Sequence, residues 1–285
     1  MSIIKLRSIT GFTGVSVSAP SRAQLLGAGS LISIEPSTWG GSLPASGSTV
    51  PNLAATQCAA VAGAGSDVLT FTQTMTSTEG VVELSAAGGL HVIAKQQAGQ
   101  TSSRFASIGM SSGLLSYLAA NTTNDIYISW WAKRTRVGLE GAPLRYVARI
   151  AGRATAQVTA GLIIHPTLAS SSSVSSSAVP SDGRRLGFSH SATSDRHFVA
   201  VASTSVSGDF AGTVNTNVFS HGIITDTDKA ISPSYLTWAL YVEDLTVSGR
   251  TFSQVEAIDR NLYQLMVNSV GGQYYNDTYT DPTTA

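Results

Sequence analysis

The side chains of this chain are rich in hydroxyl groups and poor in charge. Serine and threonine account for 41 and 30 of its 285 residues, whereas Asp, Glu, Lys and Arg together make up 12%. That charged share is about half that of an ordinary soluble domain. Apolar residues are 42% of the chain, too many for a disordered segment. Short hydroxyl and β-branched side chains favour pleated sheets and tight turns, so the composition predicts an ordered, β-rich protein.

Alternation of apolar and polar residues predicts many short strands separated by turns. Both faces of Ile126–Trp131 are apolar, which predicts a strand that is covered on both sides. Leu144–Ile150 alternates with arginines and is typical of a half-exposed strand. In Tyr235–Val242 one set of alternate residues is predicted to share a face: Leu236, Trp238, Leu240 and Val242. Further strand candidates are Leu31–Glu35, Val68–Thr72, Val81–Leu84, His91–Ala94, Gly161–His165, Arg185–Ser189, His197–Ala202 and Val218–Ile224.

One amphipathic helix is predicted near the C-terminus. Apolar residues recur there at helical spacing, at Phe252, Val255, Ile258, Leu262 and Leu265. Ser253 and Glu256 fit a capping box, and Glu256 with Arg260 forms a favourable i,i+4 pair. Gly271 and Gly272 are expected to end the helix.

These patterns predict an all-β protein with a single β-sandwich. We expect an N-terminal arm over residues 1–27, the sandwich over 28–250, and a C-terminal helix and tail over 251–285. The serine-rich run over 170–177 lies between two strand candidates and is predicted to be a loop inside the sandwich.

The segment Gly109–Gly113 fits the G-x-S-x-G nucleophile elbow of hydrolases, with Ser111 at its centre. A predicted strand precedes it, and a second, shorter helix is predicted after it at Leu114–Ala120. An α/β-hydrolase, however, needs repeated βαβ units, and the strand pattern does not supply them. In a chain with this much serine and glycine the match is expected by chance, so we predict no catalytic residue.

The sequence also predicts no metal, no cofactor and no nucleic acid. Cys58 is the single cysteine, and the histidines lack ligand spacing. Asp226-Thr227-Asp228 is interpreted as a turn, because no third acidic ligand or glycine follows at the spacing of a calcium loop. Lys plus Arg and Asp plus Glu are both 17, which gives no basic excess for nucleic acid. No secretory leader and no 18-residue apolar run are present, so we expect no membrane partner.

Aromatic side chains outside the obvious core pattern are the candidates for contact with another molecule. Rings can stack on sugars or anchor a protein interface, and those singled out are Trp39, Tyr127, Trp131, Tyr274, Tyr275 and Tyr279. For Tyr127 and Trp131 the alternative is packing in the core or between subunits. The terminal segment QYYNDTYTDP looks too polar for a core and too aromatic for a free tail.

Two stretches carry a resemblance to a known family. The segments LISIEPSTWGGSLPASGSTVPNLAA, residues 31–55, and TWALYVEDLTVSGRTFSQVEAIDRNLYQ, residues 237–264, resemble phage virion proteins with a concanavalin A-like (LamG-like) jelly roll. The resemblance implies a jelly-roll β-sandwich and a non-enzymatic virion structural protein. A tail or tail-fibre component that contacts the host surface fits best. Alternatives are a capsid decoration protein, a glycan-binding module and, least favoured, a serine esterase or carbohydrate-active enzyme.

The same resemblance implies partners and a location. Displayed virion domains of this type are usually symmetric homo-oligomers, and a trimer is favoured here. Other virion proteins and a host surface glycan are the expected partners. The chain would be assembled into the virion in the cytoplasm of the bacterial host.

Overall fold

The structure is a computed structural model, and it describes residues 20–96, 103–121, 123–136, 148–149, 163–164, 187–188, 196–203, 216–223 and 232–285. Its strands are β1 (Ser30–Ile34), β2 (Thr49–Val50), β3 (Leu69–Gln73), β4 (Gly80–Leu84), β5 (Leu90–Ala94), β6 (Arg104–Met110), β7 (Ile126–Arg136), β8 (Ala148–Arg149), β9 (Ile163–Ile164), β10 (Gly187–Phe188), β11 (Arg196–Ser203), β12 (Asn217–Ile223) and β13 (Ser234–Asp244). The helices are α1 (Ala55–Ala62), α2 (Ser112–Ala120), α3 (Leu245–Ser248) and α4 (Phe252–Tyr263).

The chain is mostly β, with helices added to two antiparallel sheets. The prediction of an all-β chain is therefore confirmed only in its coarse form. Helix α1 was not predicted, although its sequence ATQCAAVA is rich in alanine, the best helix former. Helix α2 was expected, and α4 continues into a π-helical turn over Gln264–Asn268. None of the described helices is both long and apolar enough to cross a membrane.

Strand order in both sheets departs from chain order. The seven-stranded sheet runs β10-β11-β7-β13-β5-β4, and β1 also pairs with β13. The six-stranded sheet runs β2-β3-β6-β12-β8-β9. β13 is the central strand of the first sheet, because β7 lies along one edge while β5 and β1 share the other.

Two apolar cores lie on opposite faces of the seven-stranded sheet. On its inner face, Ile128 and Trp130 pack with Phe71 and Phe219 of the second sheet. On its outer face, the rings of β7 and β13 pack under α4 and the π-helical turn. Strand β7 contributes to both cores, which confirms the prediction of a strand covered on both sides. The outer-face core also holds Leu25, which lies in the stretch assigned to an N-terminal arm.

The face assignment predicted for β13 is wrong in its first half. Leu236 and Trp238 belong to the outer-face core, whereas Leu240 and Val242 belong to the inner core. The register of β13 against β7 shifts between Thr237 and Ala239. A bulge inserts one residue into the strand, and a one-residue shift moves the following side chains to the opposite face.

The predicted C-terminal helix is confirmed, but its cap lies two residues earlier. Thr251 is the N-cap and forms a capping box with Gln254, instead of the predicted Ser253 with Glu256. The expected pair is present, since Arg260 Nε donates to Glu256 Oε1 at 2.6 Å.

Two further expectations about this segment have different outcomes. Leu265 is 40% exposed, while Met266 and Val267 are buried. The π-helical turn accounts for this, because its wider spacing shifts the apolar stripe by one residue. Gly271 lies at φ 83°, just past the end of the turn, as predicted.

Some predictions fall on residues outside the described ranges. They are the arm over 1–19, most of the strand Leu144–Ile150, the serine run over 170–177 and the turn Asp226–Asp228. The domain boundaries stay a prediction.

Candidate functional site

Charged and aromatic side chains concentrate on the outer face of the seven-stranded sheet, under the C-terminal segment. These side chains are buried: Arg22, Glu35, Tyr127, Trp131, Trp238, Tyr241, Glu243, Asp259, Tyr274 and Asp277. Four of these side chains are carboxylates and one is an arginine, an unusual concentration of buried charge in a chain with so few charged residues. We call it the polar layer.

At the centre of the polar layer, Asp259 accepts three hydrogen bonds. The Tyr127 hydroxyl donates at 2.9 Å, Trp131 Nε1 at 2.9 Å and Arg22 Nη1 at 3.4 Å. Asp259 is fully buried, and this burial raises its pKa, although Arg22 and the hydrogen bonds oppose the rise. The carboxylate thus replaces its lost hydration with donors from the sheet and from the N-terminal segment.

Asp259 reaches the sheet because it lies on the apolar stripe of α4. Val255 precedes it by four residues and Leu262 follows by three, and both are buried. The Arg22 guanidinium stacks over the Trp131 ring at 4.3 Å, and its Nε lies 3.6 Å from Glu35 Oε1. The sequence signal for this cluster is a charged residue, Asp259, at a position of the apolar stripe of α4. It is missing from the residues predicted from the sequence.

A second ion pair, with a buried carboxylate and a partly exposed arginine, fixes the turn after β13. Arg250 binds Glu243 through both carboxylate oxygens, with Nε donating to Oε1 at 2.8 Å. The Tyr241 hydroxyl donates to Glu243 Oε2 at 2.8 Å. Arg250 Nη2 also donates to the carbonyl of Leu25 at 2.7 Å. The arginine of the V-S-G-R-T turn therefore ties β13 to the N-terminal segment.

The C-terminal tail, defined here as Gln273–Ala285, contributes the remaining acid. Asp277 accepts from Ser85 Oγ at 2.6 Å, from the backbone N–H of Ala87 at 2.8 Å and from Trp238 Nε1 at 2.9 Å. Tyr274 is fully buried and stacks on Trp238, with ring centroids 5.9 Å apart. The tail was expected to be too polar for a core, but it is packed on the sheet of its own chain.

Glu83 of β4 holds the next part of the tail. It accepts from Thr280 N at 2.8 Å, from Thr280 Oγ1 at 2.6 Å, and contacts His91 Nδ1 at 2.9 Å. Burial raises the pKa of Glu83, but the hydrogen bonds from Thr280 and His91 outweigh it and leave the pKa below its usual value. Burial lowers the pKa of His91, against the opposing effect of Glu83. Its Nε2 lies 2.8 Å from Thr135 Oγ1.

The structure brings three of the six candidate aromatics together and separates a fourth from them. Tyr127, Trp131 and Tyr274 lie in the outer-face core. Trp39 is 8% exposed and packs in the inner core against Phe71, with ring centroids 5.5 Å apart. Tyr127 and Trp131 thus pack in the core, which is the alternative to an exposed contact site considered for them.

The two remaining candidates are half-buried in the tail. The Tyr279 ring meets His91 edge-on at 4.8 Å and lies 5.0 Å from Lys133 Nζ. Tyr275 is also half-buried. A role of these two rings in contact with a glycan or a second molecule stays a prediction.

The serine of the G-x-S-x-G match is a helix cap. Ser111 lies between β6 and α2, as the motif context predicted, and its hydroxyl accepts from Leu114 N at 3.2 Å. The same hydroxyl donates to the carbonyl of Ser66 at 2.8 Å. These partners are neither acids nor bases.

The described ranges hold no group of three or more His, Cys, Asp or Glu side chains that could bind a metal ion. Cys58 is buried, and burial raises the pKa of its thiol to about 12. A thiol with so high a pKa is a poor nucleophile at neutral pH.

Comparison with known proteins adds no relative. No protein-family model, no curated protein and no solved structure matches this chain. The polar layer is therefore interpreted from its geometry alone: it joins the N-terminal segment, the central strands and the C-terminal segment into one unit.

Proposed function

We propose that this chain is a non-enzymatic structural protein of a phage virion, a tail or tail-fibre component with a concanavalin A-like jelly roll. The observation that carries the proposal is the pairing of the two stretches that resemble such proteins. Residues 31–55 supply most of β1, and residues 237–264 supply most of β13 and all of α4. β1 and β13 are antiparallel neighbours, with Ile32 opposite Val242 and Ile34 opposite Leu240.

The arrangement of the sheets supports the jelly-roll part of the proposal. Both sheets are antiparallel, and in the middle of each sheet the neighbouring strands are distant in the chain. β13 lies between β7 and β5, and β12 lies between β6 and β8. Jelly rolls are two-sheet structures with Greek-key connections, which produce this kind of non-sequential order.

The use of charge supports a role in an assembly. The chain has 17 acidic residues, and Glu35, Glu243, Asp244, Asp259 and Asp277 are buried. They contact other groups of the same chain and add little to the surface. A protein with zero net charge tends to associate, so we propose that the chain works as a homo-oligomer, with a trimer favoured. Its proposed place of assembly is the cytoplasm of a bacterial host.

Light scattering after size-exclusion chromatography tests the oligomer. The chain has a mass of 29.5 kDa, and the proposal expects a single species at a whole multiple of that mass, three for a trimer. A clean monomer at micromolar concentration would argue against a virion building part.

Electron microscopy of particles tests the virion role itself. Particles produced without the gene should lack a defined part, the tail tip or fibre in the favoured version. Loss of a surface layer from an otherwise complete capsid would instead identify a decoration protein. Intact, infectious particles would refute the proposal.

A further inference from the structure

The tail occupies a groove that has the properties of a peptide-binding site. Many of its contacts come from six residues of four strands and one turn: Glu83, Ser85, Ala87, His91, Arg136 and Trp238. We call this set the tail groove. In the described residues the tail adds no strand to the sheet. Most of its contacts with the sheet involve side chains, and one backbone hydrogen bond runs from Ala86 N to the Thr278 carbonyl at 2.9 Å.

The contacts of the tail follow a readable sequence pattern. Tyr274 fills an apolar site on Trp238, and Asp277 fills a pocket of three donors. Thr280 then binds Glu83 through both its backbone and its hydroxyl. Arg136 donates to the carbonyl of Pro282 at 2.8 Å. Aromatic anchors and a buried, fully hydrogen-bonded carboxylate are the features that give a peptide site its specificity.

A short, exposed hinge connects the tail to the rest of the chain. Gly271 has φ 83°, a backbone conformation that glycine adopts without strain. Val270, directly before it, is 85% exposed, the highest exposure among the large apolar side chains described. Two hydrogen bonds close the turn: Gly272 N donates to the Ser269 carbonyl at 2.9 Å, and Tyr274 N donates to the Met266 carbonyl at 2.8 Å. Opening the hinge must break both of them.

We propose that the tail groove binds residues 273–282 of a second copy of this chain as well as its own tail. The identical segment makes the same contacts whichever copy supplies it, and exchange of an identical element between copies is a low-cost route to an oligomer. In the exchanged form the hinge extends between copies. The cis form is favoured in dilute solution, because the hinge gives the chain's own tail a high effective concentration.

This inference rests on the proposed homo-oligomer and states how its copies are joined. Exchange requires high local concentration, as in an assembling particle. The interaction partner is the tail of another copy, recognised through its aromatic ring and its carboxylate.

The test uses two versions of the full chain, produced together in the same cells. Version one has a protease site between Val270 and Gly271 and a photo-crosslinking residue in place of Gln273, which is exposed and whose amide lies 3.0 Å from Ser37 Oγ. Version two is unmodified. The purified mixture is cut, diluted, illuminated and separated under denaturing conditions.

Exchange predicts a cross-linked product with the mass of an intact version-two chain plus one severed tail. If the only cross-linked product joins a version-one body to a version-one tail, exchange is refuted. This holds even if light scattering shows an oligomer, so the experiment tests exchange independently of the proposed homo-oligomer. Severed tails that leave folded bodies and form no cross-link would refute the groove itself.

Matched variants of version one test the recognition. Asp277→Asn replaces one of the two accepting oxygens with an NH2 donor, so at least one of the three donors loses its acceptor, and the cross-linked product should decrease about tenfold or more. Thr284→Ala is the control, because the Thr284 hydroxyl bonds only to the Asp281 carbonyl within the tail, and its yield should be unchanged. Equal yields from the two variants would contradict a groove that recognises Asp277.

Discussion

Replacing Asp259 with alanine should be among the most damaging single changes to this fold. The carboxylate is fully buried and accepts from Tyr127, Trp131 and Arg22. Its removal leaves two neutral donors unsatisfied and leaves the buried Arg22 guanidinium with Glu35 as its other acidic neighbour, at 3.6 Å. Breaking a buried ion pair from one side costs about 3–5 kcal/mol.

Urea unfolding followed by tryptophan fluorescence measures this loss, since Trp131 itself contacts Asp259. The expected decrease in the free energy of unfolding is about 3–5 kcal/mol. The matched control is Glu256→Gln on the same helix, where the carboxylate pairs with Arg260 at the surface. Exposed pairs of this kind contribute about 0.3–0.5 kcal/mol.

Two outcomes separate the reasoning from a general effect of helix mutation. A large loss for Asp259→Ala with a small loss for Glu256→Gln supports the polar layer as the element that joins helix to sheet. Equal, small losses would refute it, because they would mean that Arg22 and the two aromatic donors find water or other acceptors without cost.

Three further changes test other parts of the structure. Thr251→Ala should lower the free energy of unfolding by about 1 kcal/mol, because it removes the N-cap of α4. Ser253→Ala should change thermal unfolding little. A larger loss for Ser253→Ala than for Thr251→Ala would instead support Ser253, the cap predicted from the sequence. Ser111→Ala should also lower the free energy of unfolding by about 1 kcal/mol, because it removes the N-cap of α2. Both wild type and variant should hydrolyse a model ester at the background rate. A wild-type rate above background that the variant abolishes would contradict a purely structural role of Ser111. Hydrogen bonds from Thr76 lower the pKa of Glu79 from 4.5 to about 2. The wild type should therefore be more stable than Glu79→Gln above pH 4.5, and this difference should disappear as the pH falls toward 2. A difference in stability that does not vary with pH in an acid titration would contradict this.

Much of the strand pattern could be predicted from the sequence because period-two alternation is a local signal. Ile126–Trp131 has apolar residues on both faces and forms the first half of β7, which contributes to both cores. The bulge at Trp238 in β13 has no such local signal, because an apolar residue at this position is compatible with either face of the strand. The position of the bulge depends on pairing with β7, which is a long-range property.

The candidate site could be predicted less well, because its contacts join distant parts of the chain. Arg22 and Asp259 are separated by 237 positions, and no local pattern pairs them. The aromatic rings were recognised as unusual, but their partners were not. The polar composition of the tail gave no sign that Tyr274 and Asp277 are buried. Both contact Trp238 of β13, Tyr274 by stacking and Asp277 by a hydrogen bond.

Mass spectrometry of gradient-purified phage particles from the host strain tests the central claim most directly. If the chain is a virion structural protein, its peptides should copurify with infectious particles at a constant ratio to the major capsid protein. Peptides that are abundant in the lysate but absent from the particles would contradict the account.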